Sequence, residues 1–153
     1  MIKISYSKKL HDLNPVKFKH ISNFLKFCRD ELDITNDIRV FLLTKKNKLN
    51  ITTGGYNPKD KCVYSIFEAR QVADVLRTVA HELVHQKQDL QGKIVGDIPD
   101  IGGVIEDTAN AIAGRLVKMY VKKFEAREIY SLLSNSQTVI FIFIVLQTRL
   151  RVH

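Results

Sequence analysis

The stretch ARQVADVLRTVAHELVHQKQDLQ, residues 69–91, is the part of the chain whose reading decides the fold. On a helical wheel at about 100° per residue, Val72, Leu76, Val79, Leu83 and Leu90 fall in one stripe, with Val75 at its edge. A stripe of this kind has to face a core. His81 and His85 fall on the opposite side with Asp74, Thr78 and Gln88. The spacing predicts a long helix from about Ala69 to Gln91, stopped at Gly92. One of its faces is anchored and the other is open to a ligand.

The open face carries His81-Glu82-Leu83-Val84-His85, which fits the pattern H-E-x-x-H. Histidines four apart on a helix lie about 40° apart around the axis and one turn up, so both imidazoles can reach a single zinc ion. Glu82, between them, points to one side, where it can take a proton from a water that the metal activates. A solvated polar face is the bland reading of these histidines. The pairing at i and i+4 with glutamate between favours the metal. A catalytic zinc site keeps three protein ligands and one water, so a third ligand is expected downstream.

A second helix is expected from about Val104 to Lys123. Ile101, Ile105, Ala109, Ile112, Leu116, Met119 and Tyr120 form its broad apolar face, and Asp107, Arg115, Lys118 and Lys122 its charged side. Glu106 and Asn110 sit at one edge of the apolar face, near the azimuth of Ala113 and Val117. A carboxylate beside a packing face is costly unless it gains a cation or strong donors, and zinc is such a partner. Ala109 and Ala113 would let this helix come close to the histidine helix. Asn110, one turn after Glu106, could accept a hydrogen bond from the outer nitrogen of a zinc histidine. The bland alternative for Glu106 is an acid favoured by the helix dipole, a role that Asp107 fills equally well. The competing ligands are Asp107 and a histidine elsewhere in the chain.

The remaining elements are shorter. Residues 2–6 read as a strand. Asn14-Pro15 caps a helix on which Val16, Ile21, Phe24, Leu25, Cys28 and Leu32 recur up to about Asp33. Ile38 to Leu43, a return strand from Leu49 to Thr53 ended by Gly54-Gly55, and Cys62 to Phe67 suggest an antiparallel meander. A loop follows from Gly92 to Gly103, broken by Pro99. A short third helix is expected over Ala126 to Asn135, and a buried strand or helix over Thr138 to Val152. The expected class is α+β: one domain over residues 1–153, with a small antiparallel sheet packed on helices.

Composition narrows the function classes. Hydrophobic residues make up 45% of the 153 and charged residues 26%, the balance of a globular chain with a real core. The alternating N-terminus lacks the apolar run of a signal peptide, and Val139 to Leu146 is too short to span a bilayer. Cys28 and Cys62 are isolated and read as buried thiols, which points to a cytoplasmic setting. The net charge of +8 is spread over lysine clusters such as Lys45-Lys46-Lys48 and Lys118-Lys122-Lys123. It reads first as a solvated surface and second as attraction to nucleic acid or another acidic partner. His11 and His20 have no ligand spacing and read as surface residues.

His81-Glu82-Leu83-Val84-His85 followed by Glu106-Asp107-Thr108-Ala109-Asn110 resembles the gluzincin arrangement, HExxH and then a helix with ExxAN or ExxSD. Among gluzincins it looks most like the ImmA/IrrE-type metallopeptidases, over roughly residues 70–120. The resemblance implies a zinc-dependent endopeptidase acting on a peptide or protein substrate. His81, His85 and Glu106 would be the Zn2+ ligands, Glu82 the general base, and Asn110 the residue that steadies a ligand histidine. It also implies a sheet edge that pairs with an extended substrate, for which Cys62 to Phe67 is well placed. Thr108 stands where the family often has a second acid, and no helix-turn-helix or sensor domain is recognisable. The oxyanion of the reaction needs a donor, and Tyr120, Tyr56, Tyr64, Arg115 and His153 are the candidates. The competing reading is a basic nucleic-acid-associated protein, either a SprT-like protease with a third histidine ligand or a structural zinc module. A degenerate pseudo-enzyme serving as an interaction module is a third.

Overall fold

The structure is a computed structural model that describes residues 1–11, 13–96 and 102–132. The expected apolar tail, the end of the short third helix, Pro99, Ile101 and His153 lie outside the described residues. Strand β1 (Ile2–Tyr6) leads to helix α1 (Pro15–Glu31) and strand β2 (Ile38–Leu43). Strands β3 (Gly54–Asn57) and β4 (Cys62–Ile66) precede helices α2 (Val72–Leu90) and α3 (Val104–Phe124), and a 3-10 turn at Arg127–Tyr130 follows. The class is α+β. No helix among the described residues is long and apolar enough to cross a membrane.

Local chemistry sets α1. The Asn14 side chain accepts from the backbone N–H of Lys17 at 3.0 Å, and Pro15 supplies a preset φ at the first position. The chain then leaves the helix through Asp33 in the left-handed region, φ 51°. Ile21, Phe24, Leu25 and Cys28 are buried as their spacing predicts, joined by Phe27, whereas Val16 faces solvent. Cys28 and Cys62 are both buried free thiols.

The sheet is mixed, in the order β1-β2-β4-β3, and this corrects the expected antiparallel meander. β1 and β4 both run parallel to β2, and only β3 and β4 are antiparallel. The cause lies in residues 47–53. Asn47 Oδ1 accepts from the N–H groups of Leu49 and Ile51 at 3.1 and 3.0 Å, and its Nδ2 donates to the Ile51 carbonyl at 2.8 Å. Backbone groups that a ladder would need are thus taken by one side chain. Asn50 also sits at φ 54°, which breaks any extended run. The return strand therefore starts at Gly54, where it was expected to end.

Gly54 is needed there because β3 lies hard against α2. A Cβ on Gly54 would stand 2.4 Å from Thr78 Cγ2 and 2.9 Å from the Tyr64 carbonyl oxygen. β4, expected at the edge, is interior, between β2 and β3, in keeping with the burial of Cys62, Val63, Ser65 and Ile66. The edge beside α2 is β3.

α2 lies against β3 and β4 on one side and against α3 and α1 on others. Val72, Val75, Leu76, Val79 and Leu83 are fully buried in the core with Phe24, Leu25, Ile38, Val40, Leu42, Val63 and Phe67. On α3 the buried residues are Ala109, Ala113, Leu116, Val117 and Tyr120, while Met119 is exposed and Ile105 and Ile112 are half-buried. The packed face is therefore centred near the azimuth of Glu106, Ala113 and Val117, rather than at its edge. Small residues there bring the helix close to α2.

Candidate metal centre

The two helices bring three ligand atoms to one point. His85 Nε2 lies 2.8 Å from Glu106 Oε1, His81 Nε2 lies 3.2 Å from Glu106 Oε2, and the two imidazole Nε2 atoms are 2.9 Å apart. One ligand atom from each of His81, His85 and Glu106 lies within 4.8 Å of the others. Asp107, a competing ligand, is exposed and is not in the cluster. Thr108 is also exposed.

The ring of His85 has a fixed tautomer. Gln88, three residues on, donates from Nε2 to the Ile105 carbonyl at 3.1 Å. A carbonyl only accepts, so the other end of the Gln88 amide must be oxygen, and it faces His85 Nδ1 at 2.8 Å. His85 therefore donates from Nδ1, and in its neutral form Nε2 keeps a bare lone pair aimed at the Glu106 carboxylate. Two acceptors at 2.8 Å require a proton or a metal cation between them. The Asn110 side chain lies near the His81 ring and favours its protonated form. Burial first, and the neighbouring His85 second, hold His81 below the ordinary histidine range, so it favours the neutral form that ligates metal. Two imidazoles and a carboxylate could hold a divalent metal ion and are compatible with zinc, and the ring nitrogen of His85 away from the cluster has an acceptor of its own.

Glu82 lies beside this cluster with 8% of its surface exposed. Burial, and then the nearby Glu106 carboxylate, push its pKa up to about 8. It borders a cavity of about 390 Å³ with His81, His85, Glu106, Gly54, Gly55 and Tyr56, and a smaller one of about 230 Å³ on its other side. Gly54 has a second function here, since a Cβ at that position would come within 3.4 Å of Glu82 Oε1.

The oxyanion candidates separate clearly. Tyr120, the first choice from sequence, is 1% exposed and packs edge-on against Phe24 at 5.2 Å and beside Phe27 and Phe124. It is a core residue and lines neither cavity, which corrects that assignment. Tyr64 stacks on Phe41, and Arg115 is exposed on α3; neither lines the cleft. Tyr56 does line it, with its hydroxyl donating to Asp89 Oδ2 at 2.6 Å, and Lys61 shares that carboxylate. Burial, reinforced by Asp89, holds the Tyr56 hydroxyl well above the ordinary tyrosine range, so it stays protonated. His20 pairs with Glu128 at 3.1 Å, away from the cluster.

Sequence reasoning missed two participants. Gln88 was visible only as a member of the same helix face as His85, and its part depends on the Ile105 carbonyl of another helix. Gly54 read as a strand terminator. Comparison of the chain with models of protein families, with curated proteins and with solved structures returns no match in any of the three.

Proposed function

We propose that this protein is a zinc-dependent metallopeptidase of the gluzincin kind, with His81, His85 and Glu106 as metal ligands and Glu82 as general base. The observation that carries the reading is the convergence of the two Nε2 atoms and the Glu106 carboxylate beside a buried glutamate at a cleft. Zinc held there would supply a Lewis acid that polarises a peptide carbonyl and acidifies a water.

The chain's own residues do the rest. Glu82, which lines both lobes of the cleft, accepts a proton from the attacking water and returns it to the leaving amine nitrogen. Gln88 holds the His85 imidazole with its second nitrogen occupied. Strand β3, at the end of the sheet and in the wall of the larger cavity, offers backbone groups to an extended peptide. The SprT-like alternative is disfavoured, because the cluster is His/His/Glu and no third histidine among the described residues joins it.

The test is elemental analysis together with peptide hydrolysis. Wild type should hold one zinc per chain and Glu106→Ala should lose it. Glu82→Gln should keep zinc while its hydrolysis of a peptide library falls by about a hundredfold or more. Undiminished hydrolysis by Glu82→Gln, or undiminished zinc in Glu106→Ala, refutes the proposal.

A further inference from the structure

The cleft beside the cluster has two lobes that meet at Thr53, His81 and Glu82. The larger has Tyr56 and Pro58 in its wall, and the smaller is lined by Arg77, Thr78, Asn110 and Ala113. Arg77 precedes His81 by four residues and stands one helical turn away on the same strip of α2. Its guanidinium has no hydrogen bond or ion pair among the described residues. Arg70, one element earlier, is by contrast bound to the carbonyls of Ile66 and Asp74 and to Thr78 Oγ1. The charge of Arg77 reaches His81, whose protonation it opposes.

The rest of the lobe points the same way. Thr78 Oγ1 accepts from Arg70 Nη2 at 2.7 Å, which leaves the hydroxyl proton to donate. Asn110 lines the lobe too, and its amide can donate. Three donors thus surround one cavity of about 230 Å³ whose single carboxylate, Glu82, stands at the junction with the other lobe. Arg77 and Asn110 are both exposed, so the lobe opens to solvent with these donors accessible to a ligand.

We propose that the smaller lobe is a carboxylate-recognition pocket, in which Arg77 binds a substrate carboxylate beside the scissile bond. This rests on the peptidase reading above. The planar guanidinium offers a carboxylate two parallel N–H···O bonds, and substrate that fills the lobe excludes water from them. The carboxylate is either the substrate's own C-terminus or an acidic side chain, and the same chemistry recognises both.

The experiment uses zinc-loaded Glu82→Gln protein, which binds peptides without cutting them, in calorimetric titrations. One probe pair is an acetylated alanine peptide ending in a free carboxylate or in an amide. The other is an amidated alanine peptide with a single Glu or Gln at each position in turn. At least one carboxylate-bearing member should bind about tenfold or more tightly than its neutral partner. Adding Arg77→Gln should erase the difference at unchanged zinc content, and Arg77→Lys should restore part of it. A preference in the first pair assigns the terminal carboxylate, and in the second an acidic side chain. Equal affinities throughout, a preference that survives Arg77→Gln, or no binding at all overturns the pocket. Wild-type hydrolysis of the neutral peptides is measured alongside. If it proceeds while the preference is absent, only the pocket falls; if no peptide is cut, the peptidase reading falls and takes the pocket with it.

Discussion

Seen from the sheet, α2 is an apolar stripe; seen from α3, it is a row of buried polar groups. Val72, Val75, Leu76, Val79 and Leu83 are held by packing that needs no particular direction. Glu82, His85 and Gln88 are nearly as deeply buried, but His85 and Gln88 depend on specific partners, an amide oxygen and a backbone carbonyl, and burial raises the pKa of Glu82. One helix therefore separates stability from chemistry by face. The apolar face can tolerate the wrong shape only at a cost in folding. The polar face is costly to bury unless each group finds its partner.

The largest effect that separates the faces is expected from Leu76→Ala and Glu106→Ala made side by side. Leu76 is fully buried, so its truncation should cost about 2–5 kcal/mol in urea unfolding, with one zinc per folded chain retained. Glu106→Ala should do the reverse, removing zinc and with it the stabilisation that zinc gives the wild type. Zinc loss in folded Leu76→Ala would show that the two faces are coupled after all.

The polar face should also leave a mark on the pH dependence of the metal-free protein. Glu82 has an ordinary value of 4.5 in the unfolded chain and about 8 when folded. Between those values the folded state holds a proton that the unfolded state has released. Stability therefore falls as pH rises from about 4.5 through 8, by up to a few kcal/mol, and levels off above. Glu82→Gln should flatten that slope, and the comparison is made by urea unfolding in chelator across the range. A wild-type curve that rises with pH over the same interval would contradict the burial argument.

The two faces also differed in how far they could be read in advance. The apolar stripe of α2 is periodic and was legible residue by residue. So was the cluster of His81, His85 and Glu106, because a carboxylate beside Ala109 and Ala113 needs a reason to be there. The sheet was misread where a single side chain, Asn47, takes the backbone groups of residues 49–51 out of any ladder. Gly54-Gly55 carried the opposite meaning to the one its composition suggests, since the close approach of Thr78 is a tertiary fact. Tyr120 was misassigned because a hydroxyl says nothing about which rings surround it. Gln88 needed the Ile105 carbonyl, seventeen residues away, to become a partner of His85.

That contact sets the next prediction. Gln88→Ala deletes the acceptor that fixes His85 Nδ1–H, and the ring is then free to turn its other tautomer towards the cluster. Zinc affinity, measured by competition with a chelator, should weaken by about 10–100-fold. Zinc stoichiometry at saturation should remain one. Wild-type affinity in this variant would mean that the helix geometry alone orients the imidazole.

The smallest effect lies at the end of the apolar stripe. Leu90 shares the wheel position of Leu76 and Leu83 but is 37% exposed, because the stripe runs past the core where α2 ends. Leu90→Ala should therefore cost less than about 1 kcal/mol, since little apolar surface is removed from water by a side chain left half in solvent. The same substitution at Leu76 and Leu90 then measures how far burial, rather than residue type, anchors the helix that carries the site. If Leu90→Ala costs as much as Leu76→Ala in the same urea series, something covers that end of α2 in solution.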